Sequence, residues 1–182
     1  MSDLVFITGA SSGLGRALAD TTPFPATVVD ISRSGPPEDT AIEHITADLS
    51  RPEEWPGVGE EFKRLINELA PGRIVFIHAA GTLTPIGFAG EVDTEAYAAN
   101  VVLNSAAGQV LGHLLLQAVA GRDASVDLVM ISSGAASSVY AGWSSYGAGK
   151  AALDQWVRNV GLEQKERGGA RVCAIAPGVV AT

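Results

Sequence analysis

Short apolar segments alternate with helical stretches along the whole chain, and this alternation is the feature that most restricts its fold. The strand-like segments are rich in β-branched residues and span 4–7, 28–31, 74–77, 126–131 and 172–175, with a weaker sixth candidate at 41–46. Strands that are apolar throughout are typical of a parallel sheet covered on both faces. The sequence therefore predicts a parallel sheet of about six strands.

The stretches between these segments have the patterns of helices. They span 13–20, 52–69, 93–120 and 144–166, and Asp93 stands where it can cap the third helix. Alternating strands and helices form βαβ units with right-handed crossovers. We therefore predict the α/β class, with a Rossmann-type doubly wound parallel sheet in three layers. Residues 1–182 are expected to form a single dinucleotide-binding domain.

The first predicted strand ends in a glycine-rich turn, after which a helix begins. The turn contains Gly9, Ser11, Ser12, Gly13, Leu14 and Gly15. Glycines allow a tight turn and a close approach of the backbone to a pyrophosphate, which the free N–H groups of the helix N-terminus can bind. The alternative is a tight turn that binds nothing, but the position after the first strand favours a dinucleotide.

The end of the second strand is where the adenine ribose of a dinucleotide lies in such sheets. Here the strand ends in Ser32 and Arg33, and a guanidinium can bind a 2′-phosphate, which favours NADP(H). Asp30 is the complication, because a register that placed it at the ribose would favour NAD(H). Asp48, next to Leu49 after the third strand, has two open interpretations: it contacts the adenine or caps the helix that begins near Pro52.

Three polar residues indicate carbonyl chemistry. Tyr146 and Lys150 are four residues apart and share a face if 144–166 is helical. A nearby ammonium favours the phenolate, so this tyrosine can act as general acid in reduction and as general base in oxidation. Ser133 follows the fifth strand, where its hydroxyl can hold a substrate carbonyl. By itself, a Tyr–Lys pair at this spacing is more often a surface pair.

Several motifs together resemble those of the classical short-chain dehydrogenases/reductases. In the family's order, the matching residues are Thr8 to Gly15, Asp48-Leu49, His78-Ala79-Ala80-Gly81, Asn100, Ser133, Tyr146-x-x-x-Lys150 and Pro177-Gly178. The segment from Gly142 to Ala152 is most similar to the branch of sepiapterin reductase and bacterial benzil reductase.

The resemblance implies a catalytic tetrad of Asn100, Ser133, Tyr146 and Lys150, in which Asn100 holds a water of a proton relay. It also implies that Lys150 binds the nicotinamide ribose and that Thr182 contacts the carboxamide. The cofactor site then comprises Gly9, Ser11, Ser12, Gly13, Leu14, Gly15, Ser32, Arg33, Asp48, Leu49, Ala79, Ala80, Gly81, Tyr146, Lys150, Pro177, Gly178, Val180 and Thr182. The branch is NADPH-dependent and reduces vicinal dicarbonyls.

The sequence departs from the family pattern in two places. His78 stands where the family has the first Asn of N-N-A-G, so we expect it to replace a structural hydrogen bond, with a catalytic role as the alternative. Family members also continue for several dozen residues beyond the position of Thr182. The part that closes the substrate pocket is therefore expected to be missing from this chain or not included in it.

Two aromatic residues precede Tyr146 in the loop expected to face the substrate. Tyr140 and Trp143 are predicted to shape a site for aromatic or planar substrates, and the alternative is that they fill the core. The helices at 93–120 and 144–166 are rich in small residues, and the equivalent helices of the family often pack across a dimer. We therefore expect a homo-oligomer, either a dimer or a tetramer.

Composition excludes several other classes of function. A net charge of −8 is unfavourable for binding to nucleic acid or anionic membranes. No run of about 18 uncharged apolar residues and no basic N-terminal segment is present, so we expect neither a transmembrane helix nor a signal peptide, and a cytoplasmic location. Cys173 is predicted to be a buried apolar residue, with a reactive thiol as the alternative. His44 and His113 have no partners at ligand spacing, so no metal is expected.

These expectations combine into an NADP(H)-dependent carbonyl reductase acting on a ketone or a vicinal dicarbonyl, with Tyr146 as general acid. An NAD-dependent alcohol dehydrogenase is the enzymatic alternative, favoured if Asp30 lies at the ribose. A non-catalytic NADP-binding sensor is the alternative of another class. The four tetrad residues argue against the sensor, because a sensor has no need of all of them.

Overall fold

A computed structural model describes residues 3–36, 40–178 and 180 of the chain. Its centre is a sheet of six parallel strands in the spatial order β3-β2-β1-β4-β5-β6. The strands are β1 (Asp3–Thr8), β2 (Ala26–Ser32), β3 (Glu43–Thr46), β4 (Arg73–His78), β5 (Ser125–Ile131) and β6 (Arg171–Ile175). This order is that of a doubly wound Rossmann sheet, so the predicted α/β class and topology are confirmed.

The helices lie close to their predicted positions. They are α1 (Gly13–Asp20), α2 (Trp55–Leu69), α3 (Thr94–Val101), α4 (Gly108–Ala118) and α5 (Ser144–Arg167). A 3₁₀ turn at Pro52–Glu54 leads into α2. Asp93 caps α3 as predicted, because its carboxylate accepts a 2.8 Å hydrogen bond from the backbone N–H of Ala96.

A π-helical segment, Val102–Ala107, joins α3 to α4, so the predicted third helix is not regular throughout. By length and composition alone, the continuous helix Thr94–Ala118 would suffice to cross a membrane. Apolar residues of this helix also belong to the core of the domain, because Leu111 and Leu115 are fully buried in the larger apolar cluster, which includes residues of the sheet and of α2.

Side chains of β1 alternate between two apolar clusters, as the two-residue period of a strand requires. Leu4 and Phe6 belong to the larger cluster, which α2, α4 and α5 cover, whereas Val5 and Ile7 belong to a smaller cluster on the face of α1. The ring of Phe62 from α2 lies 4.7 Å from that of Phe6, in an edge-to-face arrangement. Helices on both faces of the sheet make the three predicted layers.

Cys173 lies on β6 and is exposed, so the prediction of a buried apolar residue was wrong. Within the described residues β6 pairs with β5 alone, and most of its side chains are exposed. Partial burial of the thiol and the nearby Asp127 raise the pKa of Cys173, against the opposing charge of Arg171. A raised pKa also makes this thiol less reactive at neutral pH.

The sheet has its topological switch point between β1 and β4. The chain passes from β1 to β2 and β3 on one side of β1, and then returns from β3 to β4 on its other side, so a crevice opens at the carboxyl ends of β1 and β4. Thr8 and His78 are paired at that edge, and the next residues of both strands enter the loops above it. A ligand site is therefore expected at the ends of β1 and β4.

Candidate active site

Two glycines of the turn after β1 stand where a side chain would not fit. Gly9 has a φ of 73°, in the left-handed region, and a Cβ on Gly15 would overlap the carbonyl oxygen of Gly9. Ser12 is the N-cap of α1 and makes no capping bond with its side chain, so the hydroxyl leaves the N–H groups of the first turn free. Free N–H groups beside an exposed backbone fit a pyrophosphate.

A cleft of about 670 Å³ begins at this turn and extends along the strand ends. It brings together most residues of the predicted cofactor site. These are Gly9, Ser11, Ser12, Gly13, Leu14, Gly15, Ser32, Arg33, Asp48, Leu49, Ala79, Ala80 and Gly81. Asn100 lines its far end, beside Thr82 and Thr84, which sequence reasoning missed. The cleft has the position and size for a dinucleotide.

Asp30 does not line this cleft, in contrast to the register that would favour NAD(H). Its side chain is fully buried beneath the turn, where Oδ1 accepts a 2.7 Å hydrogen bond from the N–H of Ala10. Its Oδ2 contacts Ser32 and His44, so His44 does have a carboxylate partner. Ser32 and Arg33 instead line the cleft where β2 ends, which is where the adenosine of a dinucleotide lies in such sheets. We call this part of the cleft, which Asp48 also lines, its adenosine end.

Asp48 also lines the adenosine end and does not cap the following helix. Its carboxylate accepts hydrogen bonds from the N–H and the hydroxyl of Ser50, at 3.0 and 2.7 Å, while the following 3₁₀ turn has Arg51 at its N-cap position. Burial acts to raise the pKa of Asp48, but the Ser50 bonds and the charges of Arg33 and Arg51 lower it overall. The helix-capping interpretation is therefore wrong.

Thr8 connects the two strand ends of the crevice. Its hydroxyl oxygen accepts hydrogen bonds from the N–H groups of Ala79 and Ala80, both at 3.0 Å, and lies 3.0 Å from Nδ1 of His78. With both lone pairs used, the hydroxyl must donate to Nδ1, so the imidazole is neutral and carries its proton on Nε2. His78 thus makes a structural hydrogen bond, as expected.

Burial of the whole ring lowers the pKa of His78 to about 3, and the charge of Lys150 contributes, while the carbonyl of Leu103 opposes the shift. The ring packs against Gly108, at the start of α4, and does not line the cleft. A catalytic role for His78 is therefore not supported, because the ring has no access to a reacting group.

Lys150 lies inside the domain, below Tyr146 on the same face of α5. Its ammonium donates a 2.8 Å hydrogen bond to the carbonyl of Ile131 and lies 5.8 Å from the centre of the Tyr146 ring. Burial lowers the pKa of Lys150 to about 8, against the nearby carboxylate of Asp154. The bond to Ile131 joins α5 to the end of β5, two residues before Ser133.

Ser133 begins a 3₁₀ turn after β5. Its hydroxyl oxygen accepts a 3.2 Å hydrogen bond from the N–H of Ala135, which leaves the hydroxyl proton available for a substrate oxygen. The turn packs against α5, with the carbonyl of Ala135 facing Gly147. Ser133, Tyr146 and Lys150 thus come from two elements that are in direct contact.

Asn100 is fully buried at the end of α3 and fixes the loop after β4. Its amide donates to the carbonyls of Thr82 and Thr84, at 3.0 and 2.8 Å. Asn104, within the π segment, donates to Thr82 and to both oxygens of Asn100. Sequence reasoning missed Asn104, although its spacing of four residues from Asn100 was a usable signal.

Gly81 fills the narrow space between these amides and the ammonium. A Cβ at this position would lie 2.8 Å from Oδ1 of Asn104 and 3.5 Å from Nζ of Lys150. A side chain of any size would therefore press on groups held by buried hydrogen bonds. The loop after β4 and the helix α5 meet here without a gap.

Tyr140 and Trp143 form a row of rings that ends at Tyr146. The first two ring centres are 4.8 Å apart, and the Trp143 ring meets Tyr146 edge to face at 5.9 Å. Tyr140 is half exposed, so it does not fill the core. The N–H of Gly87 donates to the carbonyl of Gly142, which ties the loop after β4 to this aromatic row.

The described residues after β6 are not among those that line the cleft. Pro177, Gly178 and Val180 are exposed and do not line it, and Thr182 lies outside the described residues. No group of three or more His, Cys, Asp or Glu side chains in the described part of the chain could hold a metal ion.

Comparison with known proteins decides the family. The sequence model of the short chain dehydrogenase family matches residues 3–182. The chain belongs to the short-chain dehydrogenase/reductase family. Its members are oxidoreductases that use a nicotinamide cofactor, and the cleft described above fits such a group.

Individual relatives agree with this assignment. The chain is 32% identical to a benzil reductase ((S)-benzoin forming) of Bacillus subtilis, over 99% of this chain and 75% of that protein. It is 29% identical to a protein of the same name from Bacillus cereus, over 98% and 76%. A short-chain dehydrogenase/reductase structure from Burkholderia vietnamiensis is 31% identical, with a TM-score of 0.88 over 99% of this chain and 85% of that one. The predicted resemblance, including its benzil reductase branch, is confirmed.

His78 makes stability depend on pH in a defined direction. Its folded pKa of about 3 lies below the ordinary value of 6.5, so its contribution is complete above pH 6.5 and is lost as pH falls toward 3. We expect the unfolding free energy to drop by about 2 kcal/mol between pH 7 and 5, as measured by urea denaturation.

The variant His78→Asn should be less stable at pH 7 and should lose most of this slope. His113→Asn is the matched control, because His113 is exposed, and should keep the slope of the wild type. A steep slope that persists in His78→Asn would contradict the assignment to the buried ring.

Proposed function

We propose that the chain catalyses NADP(H)-dependent reduction of a ketone or vicinal dicarbonyl, with Tyr146 as general acid. The observation that carries this proposal is the buried ammonium of Lys150, which lies 5.8 Å from the centre of the Tyr146 ring. It is bound to the end of β5, the strand next to β4, whose end borders the dinucleotide cleft. The lysine places a positive charge beside the tyrosine, where a general acid that is left with a negative charge needs one. Membership of an oxidoreductase family supports the same chemistry.

Each residue of the predicted tetrad has a separate role in the proposed reduction. Ser133 donates a hydrogen bond from its hydroxyl to the substrate carbonyl, which holds the carbonyl in place and stabilises the charge that develops on oxygen. When bound, the reduced nicotinamide supplies the hydride to the carbonyl carbon. Tyr146 donates the proton to the oxygen, and the ammonium of Lys150 stabilises the phenolate that remains. Asn100 keeps the loop after β4 in position through its bonds to Thr82 and Thr84.

Replacing Tyr146 with Phe removes the acid and leaves the ring. We expect turnover of a 1,2-diketone with NADPH to fall by about 10²- to 10⁴-fold, because that is the usual contribution of general acid catalysis. The Kd for NADPH, measured by nicotinamide fluorescence, should stay within about threefold of the wild type.

Tyr97→Phe makes the same change at a tyrosine of α3 that contacts Ser144, and it should retain turnover. Near-normal turnover in Tyr146→Phe would refute the acid assignment. Tight NADPH binding without turnover of any carbonyl in the wild type would instead favour the sensor.

The preference for NADP(H) rests on Arg33. Its guanidinium is exposed at the adenosine end of the cleft, next to the last residue of β2. A guanidinium is suited to forked, charge-assisted hydrogen bonds with phosphate oxygens. Asp30, the residue that supported NAD(H), is buried away from the cleft.

Arg33→Ala should therefore lower kcat/KM for NADPH by about 10- to 100-fold, which corresponds to the loss of charge-assisted hydrogen bonds. The value for NADH should change by less than about threefold. Arg51→Ala, which removes an exposed arginine that does not line the cleft, is the control and should leave both values near those of the wild type. Equal losses for both dinucleotides in Arg33→Ala would count against a 2′-phosphate contact.

The row of rings supports an aromatic dicarbonyl as substrate. Trp143 stands between Tyr140 and Tyr146, so a flat substrate that approaches Tyr146 can stack on its indole. Two relatives carry the name of benzil reductase, and benzil is a vicinal dicarbonyl with two aromatic rings.

Trp143→Ala should raise KM for benzil by about three- to tenfold, the usual worth of an aromatic pair. The control is a second substrate, 2,3-butanedione, which has no ring and whose KM should change by less than about twofold. Equal changes for both substrates would show that Trp143 supports the loop and does not recognise the substrate.

A further inference from the structure

Ser32 has only an acceptor to offer at the adenosine end of the cleft. Its hydroxyl donates to Oδ2 of Asp30 at 2.5 Å, a distance typical of an O–H···O⁻ bond. Its oxygen also accepts a 3.2 Å hydrogen bond from the N–H of Gly35. A hydroxyl has one proton and two lone pairs, so one lone pair remains for a ligand.

The surroundings of Asp30 hold this arrangement in place. Its carboxylate is fully buried and faces three donors: the N–H of Ala10, Nδ1 of His44 at 3.0 Å, and Ser32. Since an ionised carboxylate only accepts, His44 and Ser32 must both direct protons at it. Nε2 of His44 contacts the hydroxyl of Thr46 at 3.1 Å, which fixes the ring.

A remaining lone pair distinguishes the two dinucleotides. The ribose 2′-hydroxyl of NADH can donate to it, whereas a 2′-phosphate offers mainly acceptor oxygens and gains nothing from a second acceptor. The negative charge of Asp30 directly behind Ser32 adds to the disadvantage of the phosphate. Arg33 attracts the same phosphate from the neighbouring position, so the two residues act in opposite directions.

We propose that Asp30 is a specificity-determining residue that limits the preference for NADPH by holding the Ser32 hydroxyl as an acceptor. Asp30 acts through Ser32 and touches no ligand itself. The inference rests on the proposed binding of a nicotinamide dinucleotide in this cleft.

Asp30→Asn tests this proposal with little change of shape. The amide oxygen can keep the bond from Ala10, and the amide nitrogen can donate to Ser32 in place of the lost Oδ2. His44 accepts from the amide in its other tautomer. Both lone pairs of Ser32 are then used, so its proton turns toward the cleft and can reach a 2′-phosphate.

We expect Asp30→Asn to raise the ratio of the Kd for NADH to the Kd for NADPH by about tenfold, measured by nicotinamide fluorescence on the full chain. In a Ser32→Ala background the same substitution should change the ratio by less than about twofold. Asp127→Asn makes an identical change on β5, three strands away, and should leave the ratio unaltered.

An unchanged ratio in Asp30→Asn would overturn the proposal, and so would a tenfold change that persists without the Ser32 hydroxyl. Ser32→Ala alone gives an independent test if Asp30→Asn fails to fold. It should weaken NADH binding by about three- to tenfold and NADPH binding by less than about twofold, and the reverse order would overturn the proposal. The wild-type ratio tests the preference for NADP(H), whereas the shift in ratio tests Asp30, so each can fail without the other.

Discussion

The crevice depends on the hydrogen bonds that Thr8 makes across the two central strands. The hydroxyl binds Ala79, Ala80 and His78 together, at the edge where β1 and β4 end. Since β1 leads into the glycine turn, this side chain fixes the start of the loop after β4 beside that turn. The buried neutral ring of His78 accepts a hydrogen bond from the same hydroxyl and packs against Gly108, the first residue of α4. The glycine-rich turn after β1 and the loop after β4 are thus packed together as one unit.

The second constraint is the burial of Lys150. An ammonium in the interior requires partners, and it finds one in the carbonyl of Ile131 at the end of β5. The bond fixes α5 against the strand end that leads to Ser133. The placement of the Tyr146 ring therefore follows from satisfying a buried charge, and the proposed chemistry depends on a contact that the fold itself requires. Gly81 lies beside this contact, and a Cβ there would lie only 2.8 Å from Oδ1 of Asn104.

Most of the architecture could be predicted, because buried parallel strands are read directly as apolar runs and the glycine turn marks the first of them. The positions of Ser133, Tyr146 and Lys150 followed from strand ends and helix spacing. What the sequence did not reveal depends on the third dimension. The sequence left open whether Asp30 lies at the ribose, and only the structure places it under Ala10. Cys173 looks buried until β6 proves to have one partner strand among the described residues. The contacts of Asn104 with Thr82 and Asn100 depend on the π segment in which it lies.

That segment, Val102–Ala107, gives one helix two different phases. An α-helix repeats its faces at a constant angle, so a single regular helix could present only one pattern to the domain. A wider turn shifts the phase once. Before the shift, Asn100 faces the polar crevice; after it, Gly108, Leu111 and Leu115 face the ring of His78 and the apolar core. Because a π turn holds one residue more than an α turn, loss of one residue within this segment would let a regular α-helix take its place, and both halves of the helix would keep their present faces.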